Sequence, residues 1–329
     1  MMSTIQVTHS GFFTTVQGKG RYGYQKAGVS VGGAMDSFAS RIANLLVGND
    51  ADEATLEITM NGPTLRFETD ALIAICGGSF RCTLNNKPVS MWKPLFVRKG
   101  DVLAIGACQS GYRAYVAFAG GLNVPLVMNS RSTYVQARIG GFHGRALRPG
   151  DVLSLRANAI TVRESPIRWG IAFSERNYIN GKKKIVRVAE GPEYRMFTNQ
   201  SQERFFSSLY EVTTQSDRMG YRLQGQALER TTNQEMISEA VTFGTIQVPA
   251  SGQPIVLMAD CQTTGGYPRI AQVIAADLPI LAQARPGDFI QFQKVSWQEA
   301  QRLYVERERQ IKKWKTIIQQ KWREMDDAR

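Results

Sequence analysis

The stretch Arg285-Pro-Gly-Asp-Phe-Ile290, RPGDFI, repeats a phrase met twice earlier, as Arg148-Pro-Gly-Asp-Val-Leu153 and Lys99-Gly-Asp-Val-Leu103. In each, a glycine free to take positive φ precedes an aspartate whose carboxylate can accept from nearby backbone N–H groups, and a β-type run follows at once. All three read as tight turns that launch strands, not as catalytic aspartates. The two that read Arg-Pro-Gly-Asp, at 148 and at 285, close otherwise unlike halves of the chain in the same manner, which points to two β units. The similarity ends with the phrase, so it falls short of a true repeat.

Upstream, short alternating segments bounded by Gly, Pro and Asn fill the first half: TIQVTH, FFTTVQ, TLRFE, ALIAIC, FRCTL, LFVRK, DVLAIG and AYVAFA. Apolar residues at every second position line one face of a strand, so residues 1–170 read as a β-rich lobe. One helix interrupts it: Asp36 can N-cap a run carrying Phe38, Ile42, Leu45 and Leu46 on one face, and Gly48-Asn49 ends it. Residues 165–185 carry no sustained period and contain Asn180-Gly181 and the triple lysine Lys182-Lys183-Lys184, which reads as a solvated loop near the lobe boundary. A second lobe, 171–295, then reads as strand IVRVAEG, helix NQSQERFFSSLY and strands around GYRLQG, GTIQVP and PIVLMA. The fold class is mainly β with some α. From 296 to 329 the chain turns helical and charged. There Ile311, Trp314, Ile318, Trp322 and Met325 form one amphipathic stripe that needs cover, from the protein's own body or from a partner or second copy through self-association.

A chain of 329 residues with 43% hydrophobic side chains can bury two cores without metal or disulfide support. Cys76, Cys82, Cys108 and Cys261 lack C-x-x-C spacing and the chain has two histidines, His9 and His143. A zinc site is therefore not expected, and a reducing cytoplasm is. The start lacks a signal-peptide pattern, and no apolar run approaches the roughly 18 residues of a membrane span. The formal net charge of +12 is spread thinly along the chain. With neither a helix-turn-helix nor an aromatic RNA-binding signature beside it, that charge suits anionic small ligands or an acidic partner better than nucleic acid.

Gly18-Lys-Gly-Arg-Tyr-Gly23 matches G-x-G-x-x-G in letters, yet a loop-like run follows where a dinucleotide fingerprint needs a helix. A Walker A loop and a biotinyl-lysine segment are both missing from the sequence. With so few histidines a Ser-His-Asp or Cys-His centre is not expected, and Cys261 beside Asp260 reads as a passive thiol. Two segments rise above this background. In SDRMGYRLQG, Asp217, Arg218, Tyr221 and Arg222 gather a carboxylate, a phenol and two guanidinium forks, which bind carboxylates or phosphates in two-pronged fashion. The adjoining Asp217 can orient a fork or act as a base; the plainer alternative is an Asp–Arg pair that pins a loop. In DCQTTGGYPRI, residues 260–270, Gln262, Thr263 and Thr264 can donate to a bound oxyanion or amide, and Gly265-Gly266 lets backbone N–H groups approach it. Here the alternative is a turn that holds only itself.

Five segments, GRYGYQKAGVSVGGAMDSFASRIANLLVGN, AYVAFAGGLNVP, NSRSTYVQARIGGFHGRALRPGD, SDRMGYRLQG and the run from IQVP to QARPGD, together resemble the family of the 5-oxoprolinase C subunit. That family includes KipA, the antagonist of a sporulation-kinase inhibitor. It is similar to allophanate hydrolase subunit 2 and to one half of the biotin-dependent carboxyltransferase domain of urea carboxylase. The resemblance spans about residues 4 to 293 and implies cyclophilin-like β-barrel lobes. It implies partners too: the 5-oxoprolinase B subunit, KipI-like in the regulatory setting, and the A subunit, all acting together on 5-oxoproline with ATP and Mg²⁺ to yield glutamate. No metal or biotin is expected on this chain itself. By motif position the resemblance implies ligand-facing roles for Tyr24, Gln25, Ser130, Arg131, Asp217, Arg218, Tyr221, Arg222, Gln262, Thr263, Thr264, Gly265, Gly266 and Tyr267. Of these, Asp217, Arg218 and Thr263 are the expected catalytic groups. One departure stands out: Val16-Gln17-Gly18 occupies the place where many relatives read Val-Gln-Asp. Membership of an enzyme complex and a KipA-type regulatory role are the two functions this resemblance leaves in competition.

Overall fold

A computed structural model describes residues 3–156, 167–179, 181–232 and 236–327. Of the boundary segment read from sequence, residues 165, 166 and 180 lie outside the described residues. The chain forms two compact units, the first from Met1–Gly20, Asp36–Asn180 and Arg309–Arg329 and the second from Arg21–Met35 and Gly181–Glu308.

The first unit is built on a nine-stranded sheet: β1 (Thr4–His9), β2 (Phe13–Gln17), β3 (Thr55–Thr59), β4 (Thr64–Phe67), β5 (Ala71–Leu84), β6 (Lys87–Pro88), β7 (Pro94–Val97), β8 (Val102–Phe118) and β9 (Val152–Ser154). The long pair β5 and β8 slips register around Gly77–Ser79. Gly77 is needed there: it holds φ +108, and a Cβ would stand 2.4 Å from the Arg113 carbonyl oxygen. Strand β3 is buried on both faces. Alternation sends Leu56 and Ile58 into an apolar core with Val16, Leu65, Phe67 and Val116, and turns Thr55, Glu57 and Thr59 to the opposite side. On that side the Tyr115 hydroxyl donates to Glu57 Oε2 at 2.8 Å and accepts from the Asp36 N–H at 2.7 Å. Asp36 also N-caps α1 (Ser37–Leu46), its carboxylate accepting from the Ala39 N–H at 2.9 Å, and Phe38, Ile42, Leu45 and Leu46 are buried, as the pattern requires.

The second unit is a closed barrel with strand order β10-β17-β14-β15-β12-β11-β18. Its strands are β10 (Lys183–Glu190), β11 (Tyr210–Val212), β12 (Gly220–Gln224), β14 (Thr245–Gln247), β15 (Ile255–Leu257), β17 (Arg269–Val273) and β18 (Phe289–Lys294). A separate ribbon pairs β13 (Glu239–Ala240) with β16 (Thr264–Gly265). Helix α2 (Asn199–Ser207) covers the barrel interior, where Phe205 stacks on Phe292 with centroids 4.7 Å apart, and α3 (Leu278–Ala282) precedes the last strand. The barrel shuts through a parallel pairing of β10 with β18, Lys183 against Phe289 and Lys184 against Ile290. This corrects the reading of the triple lysine as a solvated loop: Lys184 is only 3% exposed, and burial pulls its pKa down against the opposing charge of Asp288. A parallel closure between strands so distant in sequence leaves no local signal.

All three turn phrases behave as read. Gly100, Gly150 and Gly287 hold φ +92, +91 and +85, and a Cβ on any of them would meet nothing within 4 Å, so the dihedral rather than crowding demands glycine. Asp101, Asp151 and Asp288 accept from the N–H groups of Arg98, Arg148 and Arg285 at 2.7, 2.7 and 3.2 Å. After Gly23 comes only a 3-10 turn, Gln25–Ala27, so the G-x-G-x-x-G letters open no dinucleotide-type helix.

Helix α4 (Trp297–Asp327) groups with the second unit up to Glu308 and with the first from Arg309. In the first unit its stripe is covered. Ile311 and Ile318 are buried, Trp322 donates to the Leu46 carbonyl at 3.2 Å, and Trp169 meets Trp322 edge-on at 5.3 Å. The stripe is thus covered by the chain's own body, the first of the two covers that the sequence left open. No helix among the described residues is long and apolar enough to cross a membrane.

Candidate active site

Strands β12 and β15 lie side by side in the barrel, Gly220 opposite Leu257 and Arg222 opposite Ile255. Their adjoining ends bring the two chemistry-bearing segments together. The Met258 N–H donates to the Met219 carbonyl at 2.9 Å and the Asp260 N–H to the Arg218 carbonyl at 2.8 Å. The side chains then lock: Arg218 donates from Nε to Asp260 Oδ2 at 2.8 Å and from Nη2 to Oδ1 at 2.9 Å, with Arg218 7% and Asp260 5% exposed. This is the two-pronged fork expected of Arg218, but Asp260 supplies its carboxylate. Asp217 instead accepts from the N–H groups of Met219 and Gly220 at 2.8 and 3.1 Å and so shapes the turn before β12.

A third strand of chain completes the centre. Arg218 Nη2 also donates to the Gly33 carbonyl at 2.8 Å, and the Gly32 N–H donates to the Ala259 carbonyl at 3.0 Å. Gly32 holds φ +65, and a Cβ there would lie 3.4 Å from Asp260 Oδ1 and 3.5 Å from Arg21 Nη1. Arg21 is wholly buried. Burial lowers its pKa, while the Asp260 charge works in the opposite direction. Arg218 thus pairs with Asp260 in a dry setting, and the buried Arg21 guanidinium lies close enough to feel the same carboxylate.

The remaining residues singled out by sequence fall into distinct settings. Tyr221 is a core residue of the barrel, its hydroxyl donating to the Ala284 carbonyl at 3.1 Å. Arg222 and Tyr267 face outward and line an open cavity of about 750 Å³ with Thr213, Gln215, Gln253 and Ile255. Gln262 is exposed and Thr263 half-buried, the Thr263 carbonyl accepting from the Val241 N–H at 3.0 Å. Thr264 and Gly265 form β16; a Cβ on Gly265 would come within 2.6 Å of Gln247 Nε2, whereas Gly266 has ordinary clearance. Tyr24 and Gln25 belong to the 21–35 segment, where Gln25 Oε1 accepts from the Gly23 N–H at 2.9 Å. Ser130 and Arg131 belong to the first unit: Ser130 is buried and donates to the Lys19 carbonyl at 2.5 Å, and the Arg131 Nε is buried without a hydrogen-bond partner among the described residues. In the same unit Gly18 packs on Ala54, with 3.1 Å between a Cβ there and the Ala54 Cα, so a larger side chain at this position is crowded. Burial, with Asp260 beside it, pushes the Cys261 thiol up to about 12, which keeps it a passive thiol.

The far end of DCQTTGGYPRI is latched by a second fork. Arg269 donates to Glu193 from Nε and Nη2 at 2.8 and 2.7 Å and from its backbone N–H at 2.9 Å, and also pairs with Glu239 on the neighbouring ribbon. Burial pushes the Glu193 carboxyl up, yet the Arg269 hydrogen bonds outweigh it and hold the pKa below the ordinary glutamate value. A folded pKa below the unfolded one gives stability that is complete above the unfolded value and lost as pH falls through the folded value. Thermal midpoints are therefore expected to drop on acidification below about pH 4.3, and Glu193→Gln to flatten part of that acid limb. An acid limb identical in the variant would rule out the latch.

Arg21 and the carboxylate role of Asp260 escaped sequence reading. Both depend on contacts between segments far apart in the chain, and the only local clue was the placing of Arg21 within GRYGYQ and of Asp260 at the head of its loop.

A family model described as carboxyltransferase domain, subdomain A and B, matches residues 27–294. The chain is 44% identical over 296 residues to the 5-oxoprolinase C subunit of Escherichia coli, covering 90% of this chain and 93% of that protein. It is 39% identical over 307 residues to the 5-oxoprolinase C subunit of Haemophilus influenzae, covering 93% and 96%. Among solved structures, the K. lactis urea amidolyase superposes with a TM-score of 0.87 at 32% identity over 94% of this chain, which spans 20% of that longer protein.

Proposed function

The chain belongs to the carboxyltransferase subdomain A and B family and, within it, to the group of 5-oxoprolinase C subunits; from this premise we propose that it is the C subunit of a cytoplasmic, ATP-dependent 5-oxoprolinase that works with the B and A subunits to convert 5-oxoproline to glutamate. The near-full-length identity to two such proteins carries the reading. The names of these relatives lend nothing to a KipA-type regulatory role.

Opening a lactam requires its unreactive carbonyl to become a better electrophile, and negative charge then gathers on the carbonyl oxygen. ATP, when bound, supplies the phosphoryl group that takes up that oxygen. In this reading the chain's own residues hold and stabilise. The Arg21–Asp260–Arg218 cluster sets a positive potential beside the Gln262–Tyr267 loop, Thr263 donates from its hydroxyl, and the Gly265-Gly266 backbone leaves room for an oxyanion to approach. Arg222 and Tyr267, on the larger cavity, suit the phosphates and ring of a nucleotide. No group of three or more His, Cys, Asp or Glu able to hold a metal occurs among the described residues, so no step is assigned here to Mg²⁺. Mixed with the purified A and B subunits, 5-oxoproline and ATP, the chain is expected to support release of glutamate and ADP. Undiminished release when the chain is left out would remove it from the enzyme.

A further inference from the structure

The first unit contains a second cavity, of about 390 Å³, that the proposed reaction does not use. Its size falls within the roughly 300–1,000 Å³ of small-molecule pockets. Phe80, Met91 and Trp92 give it an apolar wall, Ser79, Ser90 and Ser110 give it hydroxyls, and Arg176 is the cation among its lining residues.

Arg176 is the informative group. Its Nε is buried and has no hydrogen-bond partner among the described residues. The guanidinium lies over the Phe173 ring, 5.4 Å from the centroid, and no described carboxylate pairs with it. The acids at hand are committed: Asp36 accepts from the Ala39 N–H at 2.9 Å and the Tyr178 hydroxyl at 2.7 Å, and Glu175 accepts from Gln310. A buried Nε–H with nothing to donate to is costly, and a carboxylate meets a guanidinium in the matching planar geometry.

Trp92 adds an independent sign. It is 3% exposed and sits at φ +62, a left-handed conformation that a bulky side chain rarely adopts. Its N–H donates to the Ile75 carbonyl at 2.7 Å and its Nε1 to the Gly77 carbonyl at 3.1 Å, which together fix the ring at the cavity wall. Strained backbone persists where the surroundings over-determine it, and ligand clamps are among such places.

We propose that this cavity is a binding site for a small monocarboxylate with a flat apolar body, its carboxylate on Arg176 and its body against Trp92 and Phe80. A single guanidinium facing one apolar wall fits one negative charge on an apolar frame. A phosphate dianion would leave its second charge without a cation among the lining residues. The site stands on the first unit alone and is independent of the reading of the chain as part of a 5-oxoprolinase.

Isothermal titration of the full chain with benzoate, acetate and inorganic phosphate tests it. Benzoate is expected to saturate one site, acetate to bind at least tenfold more weakly, and phosphate not to displace benzoate. Arg176→Gln is expected to weaken benzoate at least tenfold with an unchanged thermal midpoint, and Arg176→Lys to recover part of the loss. Absence of saturable benzoate binding, or benzoate binding unaltered in a folded Arg176→Gln chain, overturns the site; displacement by phosphate at comparable concentration overturns the monocarboxylate assignment. Should Arg176→Gln fail to fold, Ser90→Phe, which fills the cavity from its exposed side, must abolish benzoate binding, and retained binding overturns the proposal.

Discussion

Arg218→Ala is expected to abolish glutamate release by the assembled enzyme and to lower the unfolding free energy by about 3–5 kcal/mol, since it leaves Asp260 buried without its fork. The two effects have separate origins. Loss of stability follows from stranding one charge of a buried pair; loss of turnover would follow, on the proposed function, from removing a guanidinium beside the Gln262–Tyr267 loop. A double-mutant cycle with Asp260→Ala separates the pair from its surroundings. If Arg218 and Asp260 act as a unit, the double variant costs little more than either single one. Thr263→Ala isolates the chemical part: removing one donor aimed at a developing oxyanion costs about 10²–10³ in turnover, and the half-buried Thr263 side chain should leave the thermal midpoint almost unmoved. Normal turnover in both Arg218→Ala and Thr263→Ala would place the chemistry elsewhere.

Phe205→Ala is expected to cost about 3–5 kcal/mol of stability, the range for emptying an aromatic site in a packed core. Phe205 is fully buried, stacks on Phe292 at 4.7 Å and 17°, and meets the rings of Phe206 and Tyr210 as well. The void would open inside the barrel that carries β12 and β15, so glutamate release should fall sharply as temperature nears the lowered midpoint. Denaturant unfolding measures this directly, as a smaller midpoint concentration at constant slope. A loss below about 1 kcal/mol would mean that the barrel interior collapses around the missing ring and that the aromatic stack is not its anchor.

What could be read from the sequence was whatever is decided within a few residues. The Gly-Asp turns, the Asp36 cap with its apolar face, and the alternation of most strands each depend on local dihedrals and spacing, and each is found in the structure. What escaped depends on pairing at a distance. Lys184 looked solvated because the β10–β18 pairing that buries it joins opposite ends of the barrel. Asp217 looked like the partner of Arg218 because it is adjacent in sequence, yet the short loop turns its carboxylate back onto its own backbone and leaves the fork to Asp260. Tyr221 looked like a ligand group, and strand alternation puts it inside the barrel while its neighbour Arg222 faces outward. The α4 stripe was visible, but periodicity shows only that a surface must be covered, not which one.

The second unit borrows residues Arg21–Met35 from a part of the chain otherwise assigned to the first. Residues 181–308 expressed alone would lack the Gly33 carbonyl that receives Arg218, the Gly32 amide that ties down Ala259, and Arg21 itself. The barrel is in this sense a fragment awaiting complementation: a synthetic peptide covering 21–35 is the missing piece, and a gene cut cleanly between the halves would encode neither functional part.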